Sequence, residues 1–429
     1  MPPISPGYVF LAPMIGPGQH GPLVVDSDGE PVWIAPHPRA QSHDLRVQTL
    51  AGRPVLTWWE GDLVLPDGYG HGQFVIADTS YREIHRFSPG NGYSGDLHEF
   101  TLTSHGTALI SIYNEVPANL SLYGGPAKGT VLEGIVQELD VKTGKVLLEW
   151  HSLEHAGLDE SFRDPPAGQP WDYFHLNSIG VLPDGNLIVS SRHASTAYKI
   201  NRRSGKVIWR LGGKRSDFGI GPGAAFAFQH HVRGYRGNLI SIFDNASYSQ
   251  DSATEPVSRA LVLRLDLANR TAGLVREDRS PRGALSVAMG DAQALPGGGM
   301  FVGWGTVPGY SEFDANGQLR YDATLVGLGT SYRAFRQRWK ATPLTRPAVA
   351  SARNSDGTLD VFTSWNGATE VAQWQILGGT DANALDPVRT VSRAGFETQV
   401  QLATTPALVA AVALDARGKA LGRSNPLQT

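Results

Sequence analysis

The sequence predicts an all-β protein. Short apolar runs alternate with tight turns that contain glycine, as in IGVLPDGNLIVSS, YRGNLISIF and SEFDANGQLRYD, and this pattern is typical of β-hairpins. The 429 residues include 50 glycines and 28 prolines, which favours many turns over long helices. The composition is 41% hydrophobic and 18% charged, which favours a folded chain over a disordered one.

The hairpins occur in pairs, and each pair would supply four strands. In chain order the pairs are 44–58 with 73–86, 100–113 with 130–150, 175–192 with 196–211, 229–245 with 259–276, and 289–305 with 310–323. Four-stranded units that recur at intervals of roughly 40 to 65 residues predict the blades of a β-propeller.

The N-terminal strands YVFLAP and GPLVVDSDGEPVWI form one more unit if the segment from Tyr332 to Trp339 completes it. The sequence therefore predicts a six-bladed β-propeller over residues 1–340. After the Pro-containing linker ATPLTRPAV, short alternating strands predict a small C-terminal β-sandwich over residues 345–429. The irregular hairpin spacing leaves a large β-sandwich, or a run of meanders, as the alternative for the first region.

Charge and composition exclude several classes of function. The chain has 37 Lys and Arg against 40 Asp and Glu, a formal net charge of −3, and no basic block, so neither nucleic acid nor an anionic membrane is a predicted partner. The absence of cysteine excludes disulfides and thiolate catalysis and leaves the redox compartment open. No apolar run reaches the roughly 20 residues of a membrane span. The N-terminus lacks a signal-peptide pattern, so we expect a soluble chain without membrane insertion.

Polar residues gather at one end of the hairpin FHLNSIGVLPDGNLIVSSRH. If a two-residue turn is centred on Asp184 and Gly185, Asn177 faces Arg192 across the two strands. His175 shares a face with Asn177, because strand side chains alternate, and lies diagonal to Arg192 at about 7 Å. Each residue alone is more often an ordinary polar group at a strand end, but three at complementary positions indicate a site.

Further histidines occupy similar positions. In FQHHVRGYRGNLISIFDN, His230 and His231 fall at the end away from the turn, near Phe243 and Asp244. Adjacent strand residues point to opposite faces, so only one of the two histidines can face a given site. The other is expected to be structural, with Asp244 as a candidate partner. His71, in YGHGQFVIAD, is flanked by glycines that permit close backbone approach.

Several of these segments resemble the arylsulfotransferase family, the kind that uses sulfate esters and needs no nucleotide donor. The resemblance is carried by SPGYVFLAP, DGEPVW, PVLTWWEG with GHGQFVIAD, the long segment from DYFHLNSIG to KVIWRLGG, FAFQHHV, FDNA, GDAQALPGGGMFVGWGTVPGYSEFD, SWNGATEVAQW and GFET. It covers nearly the whole chain and, more specifically, is a resemblance to the actinobacterial and fungal branch. Relatives are often exported, while location and oligomeric state stay open from this sequence.

The resemblance implies a central propeller pocket with three histidines and an arginine, and no cofactor or metal. By motif, these are His175 with its neighbour Asn177, Arg192, His230 and, on a short motif, His71. Thr306, in WGTVPG, would line the pocket, and Trp171, Tyr173 and Trp304 could stack on an aryl ring or lie in the core. The doublet His230–His231 leaves the identity of the nucleophile ambiguous.

Sulfuryl transfer between an aryl sulfate donor and a phenolic acceptor would suit these residue types. The group passes through a loose, planar state with negative charge on its outer oxygens. Arg192 can bind those oxygens in bidentate fashion, with Asn177 as a second donor. On this hypothesis His230 attacks sulfur, and His175 and His71 bind sulfate oxygens and exchange protons with the phenol oxygen, giving a ping-pong mechanism.

Three other functions are compatible with the same residues. Histidines from separate blades could ligate zinc or iron, although Arg192 would repel a cation. The pocket could instead serve a cofactor-free cyclase or isomerase of natural-product biosynthesis, because a fold does not determine the chemistry it hosts. A non-catalytic propeller that binds a ligand or a partner protein is the third alternative.

Overall fold

The computed structural model of the protein describes residues 4–37, 39–249 and 252–429. Within these ranges the regular structure is almost entirely β. The helical segments are three-residue 3-10 turns at Ser121–Tyr123, Ser152–Glu154, Leu158–Glu160 and Val326–Leu328. No helix in the described part of the chain is long and apolar enough to cross a membrane. The prediction of an all-β protein is confirmed.

Most strands belong to four-stranded antiparallel sheets that follow chain order. The first sheet contains β1 (Tyr8–Ile15), β2 (Leu23–Val25) and β3 (Pro31–Ile34), and the second contains β4 (Gln41–Leu50), β5 (Arg53–Val64), β6 (Tyr69–Ala77) and β7 (Glu83–Phe87). The third contains β8 (Phe100–Leu102), β9 (Thr107–Ala118), β10 (Gly129–Asp140) and β11 (Val146–His151), and the fourth contains β12 (Leu176–Val181), β13 (Leu187–Ser191), β14 (Thr196–Ile200) and β15 (Val207–Gly212).

Two further sheets of this type follow. The fifth contains β17 (His230–Tyr235), β18 (Leu239–Asp244), β19 (Arg259–Asp266) and β20 (Thr271–Arg279), with the short β16 (Gly219–Ile220) added in parallel to β20. The sixth contains β21 (Asp291–Ala294), β22 (Met300–Gly303), β23 (Tyr310–Phe313) and β24 (Leu319–Ala323). These sheets match the hairpin pairs expected from the sequence.

A later strand completes the first sheet. β25 (Thr330–Gln337) pairs antiparallel with β1, and Phe10 lies opposite Phe335. Each sheet contacts the next one along the chain, and β22 of the sixth sheet contacts β25. The sheets therefore close into a propeller-like ring, whose inner strands are β4, β8, β12, β17, β21 and β25.

Three inner strands contain a bulge near their N-terminal ends. The register shifts between His43 and Arg46 in β4, between Leu176 and Ser178 in β12, and between His230 and Arg233 in β17. A bulge leaves an extra residue outside the ladder and changes the direction of neighbouring side chains. As a result, side chains of adjacent residues at these points face different surroundings.

Buried charges from four inner strands meet near the ring axis. The carboxylate of Glu99, next to β8, accepts hydrogen bonds from Arg46 (2.5 Å) and Arg233 (2.6 Å). One terminal nitrogen of Arg333 donates to Asp44 (2.9 Å), and the other lies 3.4 Å from Glu99. Burial would raise the pKa of Glu99, but the guanidinium groups of Arg233, Arg333 and Arg46 hold it well below its usual range. We call these five residues the axial ion network.

The register of the hairpin 175–192 differs from the predicted one. Leu182 pairs with Asn186, and the loop contains three residues, Pro183 to Gly185, with Gly185 at φ 83°. This loop length shifts the register by one, so that Ser178 lies opposite Ser190. Asn177 therefore falls in the bulge and does not face Arg192, and the prediction of that cross-strand pair is wrong.

The C-terminal region forms two more antiparallel sheets. One contains β26 (Ala348–Arg353), β27 (Leu359–Ser364) and β30 (Glu397–Leu402), and the other contains β28 (Gln373–Gly379), β29 (Asp386–Ser392), β31 (Leu408–Leu414), β32 (Ala420–Arg423) and β33 (Leu427–Gln428). Their inward side chains form one core that includes Val361, Trp374 and Val400. The region also contacts the ring, where the Tyr81 hydroxyl donates to the Gly367 carbonyl (2.8 Å).

We expect Glu99→Gln to destabilise the fold strongly. The substitution removes one buried negative charge and leaves the guanidiniums around it uncompensated, which costs about 3–5 kcal/mol in comparable buried networks. Urea denaturation followed by tryptophan fluorescence measures the free energy of unfolding. The matched control is Glu154→Gln, whose side chain is 71% exposed and should change stability by less than about 0.5 kcal/mol. An unchanged midpoint for Glu99→Gln would contradict the role of the network.

Candidate active site

A cavity of about 390 Å³ lies at one end of the ring. Its buried lining includes His43, His98, His175, His230 and Arg192, which are each at most 7% exposed. Its outer lining includes exposed apolar and aromatic side chains, among them Leu65 and Tyr248. Arg163, Asp164 and Gln169 also line this outer part. The cavity therefore combines a buried polar floor with an entrance of mixed apolar and polar side chains, which suits a small aromatic ligand that carries a charged group.

The predicted site residues divide into two sets. His175, Arg192, His230, Thr306 and Trp171 all line this cavity, although they come from distant parts of the chain. Asn177 and His71 do not line it. Two other aromatic candidates, Tyr173 and Trp304, are buried in hydrophobic clusters of the sheets and also lie outside the lining.

His71 lies in β6, is exposed, and pairs with Asp62 on the neighbouring strand. The histidine that enters the cavity from the third sheet is instead His98, which was not predicted. His98 lies two residues before the inner strand β8, a position close to those of His175, which directly precedes β12, and His230, which begins β17. The positions of histidines near the starts of inner strands, compared from sheet to sheet, would have identified His98 as a cavity residue. The short sequence around each histidine did not identify it.

His175 is held by a buried carboxylate. Asp172 accepts from the His175 backbone N–H (2.9 Å) and lies 2.5 Å from ring atom Nδ1. Burial is the main cause that lowers the pKa of His175 well below its usual value, and the nearby His98 and Arg192 lower this pKa further. Burial also raises the pKa of Asp172. His175 is therefore neutral near pH 7, with Nδ1–H bonded to Asp172 and a lone pair on Nε2.

His98 has an equivalent partner in Asp96. Its Nδ1 lies 2.8 Å from Asp96 Oδ2, which also accepts from the Ser111 hydroxyl (2.8 Å). Burial would raise the pKa of Asp96, but the neighbouring His98 and the hydrogen bonds that Asp96 accepts lower this pKa below its usual value. The rings of His98 and His175 lie 4.9 Å apart between centroids in a T-shaped arrangement. Two imidazole–carboxylate pairs thus stand side by side in the cavity.

His230 has a different partner. Its Nδ1 lies 2.7 Å from the side-chain oxygen of Asn245, and the Met289 backbone N–H donates to Nε2 (3.3 Å). Burial, followed by Arg192, lowers the pKa of His230 well below its usual value. The ring centroid lies 6.4 Å from that of His175. His230 is therefore a neutral imidazole whose Nε2 carries a lone pair within the cavity.

His231 lies elsewhere, which distinguishes the two adjacent histidines. It lines a separate cavity together with Arg46 and Arg233, and its Nδ1 lies 3.3 Å from the Ala292 backbone. Asp244 pairs with Arg259 (2.9 Å) and not with His231, so that suggested pair is wrong. The two rings reach different cavities because adjacent strand residues point to opposite faces, as expected from the sequence.

Arg192 has free hydrogen-bonding capacity in the cavity. Its two terminal nitrogens donate to His193 Nε2 (2.6 Å) and to the Val287 carbonyl (2.8 Å). No carboxylate among the described residues forms an ion pair with it, and its buried Nε–H lacks a partner there. Burial lowers the pKa of Arg192 to about 10, so the group remains charged at neutral pH. A buried cation with unused donors is suited to an anionic ligand.

His193 orients this guanidinium. The His193 Nδ1–H donates to the Asp172 backbone carbonyl (2.5 Å), which leaves Nε2 free to accept from Arg192. Burial lowers the pKa of His193 well below its usual value, in agreement with that neutral form. Asp172 therefore supports both His175, through its side chain, and Arg192, through its backbone and His193.

The remaining predicted residues have supporting positions. The Thr306 hydroxyl lies 3.1 Å from the Ser286 hydroxyl at the cavity wall. The Trp171 indole N–H donates to the Arg163 carbonyl (3.1 Å), so one part of this ring is anchored while the residue lines the cavity. Asn177 is fully buried and donates to the Gln229 carbonyl (2.6 Å), the residue before His230.

A family model described as arylsulfotransferase (ASST) matches residues 46–325. The chain belongs to the arylsulfotransferase family. The match includes His98, His175, Arg192 and His230, whereas His43 lies outside it. The protein is therefore a transferase, and the substrates that the family implies are small-molecule aryl sulfates and phenols.

Several solved structures are similar to this arylsulfotransferase. They include a protein of unknown function from Bacteroides caccae (13% identity, 77% of this chain and 98% of that chain, TM-score 0.45) and streptogramin B lyase (10%, 83% and 86%, 0.41). Another is a catalytically inactive virginiamycin B lyase from Staphylococcus aureus with quinupristin (9%, 84% and 93%, 0.40). No curated protein matches the chain.

His43 is a further imidazole in the cavity of this arylsulfotransferase. It is 1% exposed, and neither ring nitrogen has a hydrogen-bond partner among the described residues. Burial, followed by the neighbouring His98, lowers its pKa to about 3. Its ring packs near Trp59 and Tyr332, with centroids 5.4 and 6.1 Å away. His43 is thus a neutral imidazole that packs against aromatic rings and lines the buried part of the cavity.

Asp172, His175 and His193 hold metal-ligand atoms within 4.8 Å of one another. Both ring nitrogens of His193 are engaged, because Nδ1 donates to the Asp172 carbonyl and Nε2 accepts from Arg192 at 2.6 Å, and the Asp172 carboxylate is bonded to His175 Nδ1. A guanidinium at that distance from a ligand nitrogen opposes binding of a metal cation. The geometry of this arylsulfotransferase therefore fits an orienting network better than a metal site.

We expect His98→Asn to lower arylsulfotransferase turnover of p-nitrophenyl sulfate about 100-fold or more, because it removes an imidazole that faces the cavity. The measurement is the rate of p-nitrophenol release in the presence of phenol. The control is His85→Asn, a half-buried histidine on the outer strand β7, which should retain full activity. Full activity in His98→Asn together with loss in His71→Asn would contradict the placement and return the role to His71.

Proposed function

We propose that this chain transfers a sulfuryl group from an aryl sulfate to a phenolic acceptor by a ping-pong mechanism, through a sulfohistidine on His230 and without a nucleotide donor. One observation carries the proposal: the unprotonated Nε2 of His230 shares a buried cavity with the Arg192 guanidinium. A neutral nucleophile beside a cation that lacks a carboxylate partner is the combination that attack on an anionic sulfate ester needs.

The first displacement forms the covalent intermediate. The lone pair of His230 Nε2 leaves its long contact with the Met289 N–H (3.3 Å) and attacks sulfur. The S–Nε2 bond forms, and the S–O bond to the aryl group breaks with its electron pair leaving on the phenolate oxygen. Arg192 binds the outer sulfuryl oxygens, whose charge increases in the transition state. A neutral His230 favours this step, because a protonated ring has no lone pair to donate.

The second displacement returns the enzyme to its resting form. The acceptor phenol gives its proton to a neutral imidazole, its oxygen attacks sulfur, and the S–Nε2 bond breaks with the electron pair returning to His230. His175 is the group we assign as this base, since Asp172 stabilises the imidazolium that forms. The His175 imidazolium then gives this proton to solvent or to the phenolate released from the donor, so protons balance over one cycle and the neutral ring is restored.

The other groups support binding. His98, with its own carboxylate Asp96, takes the role that sequence analysis gave to His71 as the third histidine of the pocket. Thr306 and Trp171 are proposed to contact the sulfuryl group and the aryl ring respectively. Asn177 is better explained as a support for the segment before His230 than as a direct sulfate ligand, because its amide donates to the Gln229 carbonyl.

We also propose the architecture in finer detail. The six successive sheets and the pairing of β25 with β1 support a six-bladed propeller as the catalytic domain over residues 1–340. The two facing sheets with one shared core support a β-sandwich over residues 345–429. A cyclase or isomerase in the same pocket is not favoured, because the family membership points to sulfuryl transfer.

The direct test is the mass of the protein after incubation with p-nitrophenyl sulfate in the absence of an acceptor. The wild-type chain should gain one sulfuryl group, and His230→Ala should gain none while also losing p-nitrophenol release. His231→Ala is the matched control, because its ring lines the other cavity, and it should still gain the group. Labelling that disappears in His231→Ala and persists in His230→Ala would refute the assignment.

We expect Asp172→Asn to separate the two half-reactions. Release of p-nitrophenolate needs little proton assistance, whereas phenol must lose a proton before it attacks. The variant should therefore acquire the sulfuryl group within about tenfold of the wild-type rate, but transfer it to phenol about 100-fold more slowly. Rapid-mixing measurement of the p-nitrophenolate burst and of the following steady state reports both rates. Equal slowing of both phases would argue against His175 as the base.

A further inference from the structure

We propose that Asn245 is a positioning residue that holds His230 in its reactive tautomer and keeps the Nδ1 proton on the ring while Nε2 carries the sulfuryl group. The proposal rests on the sulfohistidine mechanism above and adds the reason why an amide, and not a carboxylate, contacts this histidine.

The orientation of the Asn245 amide is determined by its surroundings. Asn245 follows β18 and is fully buried. Its side-chain nitrogen donates to the Ser286 carbonyl (2.7 Å) and the Met289 carbonyl (3.0 Å). Both partners only accept hydrogen bonds, so the amide nitrogen must face them and the amide oxygen must face His230 Nδ1, 2.7 Å away.

This orientation defines the tautomer of His230. An amide oxygen can only accept, so Nδ1 carries the hydrogen. The Met289 N–H points toward Nε2 at 3.3 Å, which requires a lone pair on that atom. Two independent contacts therefore select the same tautomer, the one with the nucleophilic nitrogen directed into the cavity.

The partner of His230 differs from those of the other two cavity histidines. His175 contacts Asp172 at 2.5 Å and His98 contacts Asp96 at 2.8 Å, and in both pairs the partner is a buried carboxylate. A carboxylate stabilises an imidazolium and can also accept a proton from it, whereas a neutral amide can do neither to the same degree. The chain thus provides carboxylates for proton exchange and an amide for the proposed nucleophile.

The amide has a chemical consequence for the intermediate. When Nε2 forms its bond to sulfur, the Nδ1–H remains and the imidazole ring becomes cationic. Loss of that proton to a carboxylate would leave a neutral sulfoimidazole, from which nitrogen is a poorer leaving group in the second displacement. Asn245 accepts a hydrogen bond from this N–H but does not remove the proton, so the sulfuryl group stays transferable.

The charged groups around His230 also favour its neutral form. Arg192, from the segment after β13, is the nearest fixed cation and disfavours a protonated ring. His98 and His175 approach from the segments before β8 and β12, and Tyr332 of β25 lies 6.3 Å away between ring centroids. The carboxylates of Asp96 and Asp172 are already bonded to their own histidines, which leaves Asn245 as the direct partner of Nδ1.

Asn245→Asp tests the proposal through its pH profile. A carboxylate beside Nδ1 raises the pKa of His230, so the acid limb of sulfuryl uptake from p-nitrophenyl sulfate should move to higher pH by one unit or more. Above that limb the labelled enzyme should persist at least tenfold longer in the presence of phenol, because the sulfuryl group makes the Nδ1–H of the labelled ring more acidic and the carboxylate can then accept that proton. Mass spectrometry of quenched samples between pH 5 and 9 measures uptake and lifetime.

The controls separate charge, folding and function. Asn316→Asp makes the same change at an exposed turn and should match the wild-type profile, and Asn245→Ala should slow uptake without moving the acid limb upward. A wild-type profile and lifetime in Asn245→Asp would overturn the proposal. Absence of any sulfuryl label on the wild-type chain would instead overturn the sulfohistidine mechanism itself.

A measurement on the wild-type protein does not depend on folding of a variant. Nitrogen-15 NMR of histidine-labelled protein, with His230 assigned from the spectrum of His230→Asn, should show protonated Nδ1 and unprotonated Nε2 from pH 6 to 9. Observation of the Nε2–H tautomer, or of an imidazolium at neutral pH, would overturn the role of Asn245.

Discussion

The pairing of Glu99 with the surrounding arginines is the interaction on which the rest of the ring depends. Inner strands of a closed ring bring their polar side chains to a common axis, where water is excluded and an unpaired charge is costly. Here Arg46, Arg233 and Arg333 come from three sheets and meet the carboxylates of Glu99 and Asp44. The network joins sheets that are distant in sequence, and the strands that carry it continue directly into the cavity residues.

Exclusion of water also determines the charge state of groups in the cavity. His175 and His230 are too buried to be charged at neutral pH. Each of the three imidazoles that surround the proposed sulfuryl site has one defined partner: Asp96, Asp172 or Asn245. Arg192 remains charged without a carboxylate partner among the described residues. A site with two neutral imidazoles and a buried cation with unused donors is matched to an anionic sulfate ester, and the apolar and aromatic side chains at its entrance are matched to the aryl group.

Much of the fold was predictable because hairpin signals are local. Gly-centred turns identified the strand pairs, and the match between the segment after Tyr332 and the N-terminal strands anticipated the pairing of β25 with β1. The register of the hairpin 175–192 was not predictable, because the loop contains three residues and the bulge at Asn177 shifts the ladder a second time. His98 was missed because only its position beside an inner strand, and not its neighbours in sequence, marks it as a cavity residue.

The sequence by itself determined the all-β class, the order of the sheets, the family and the residue types of the site, because alternation, turn residues and motifs are properties of short segments. Only the tertiary structure decided which histidines meet, which of His230 and His231 enters the cavity with Arg192, and which carboxylate or amide supports each ring. Those choices depend on bulges and on contacts between segments far apart in the chain, and a local pattern contains no information about either.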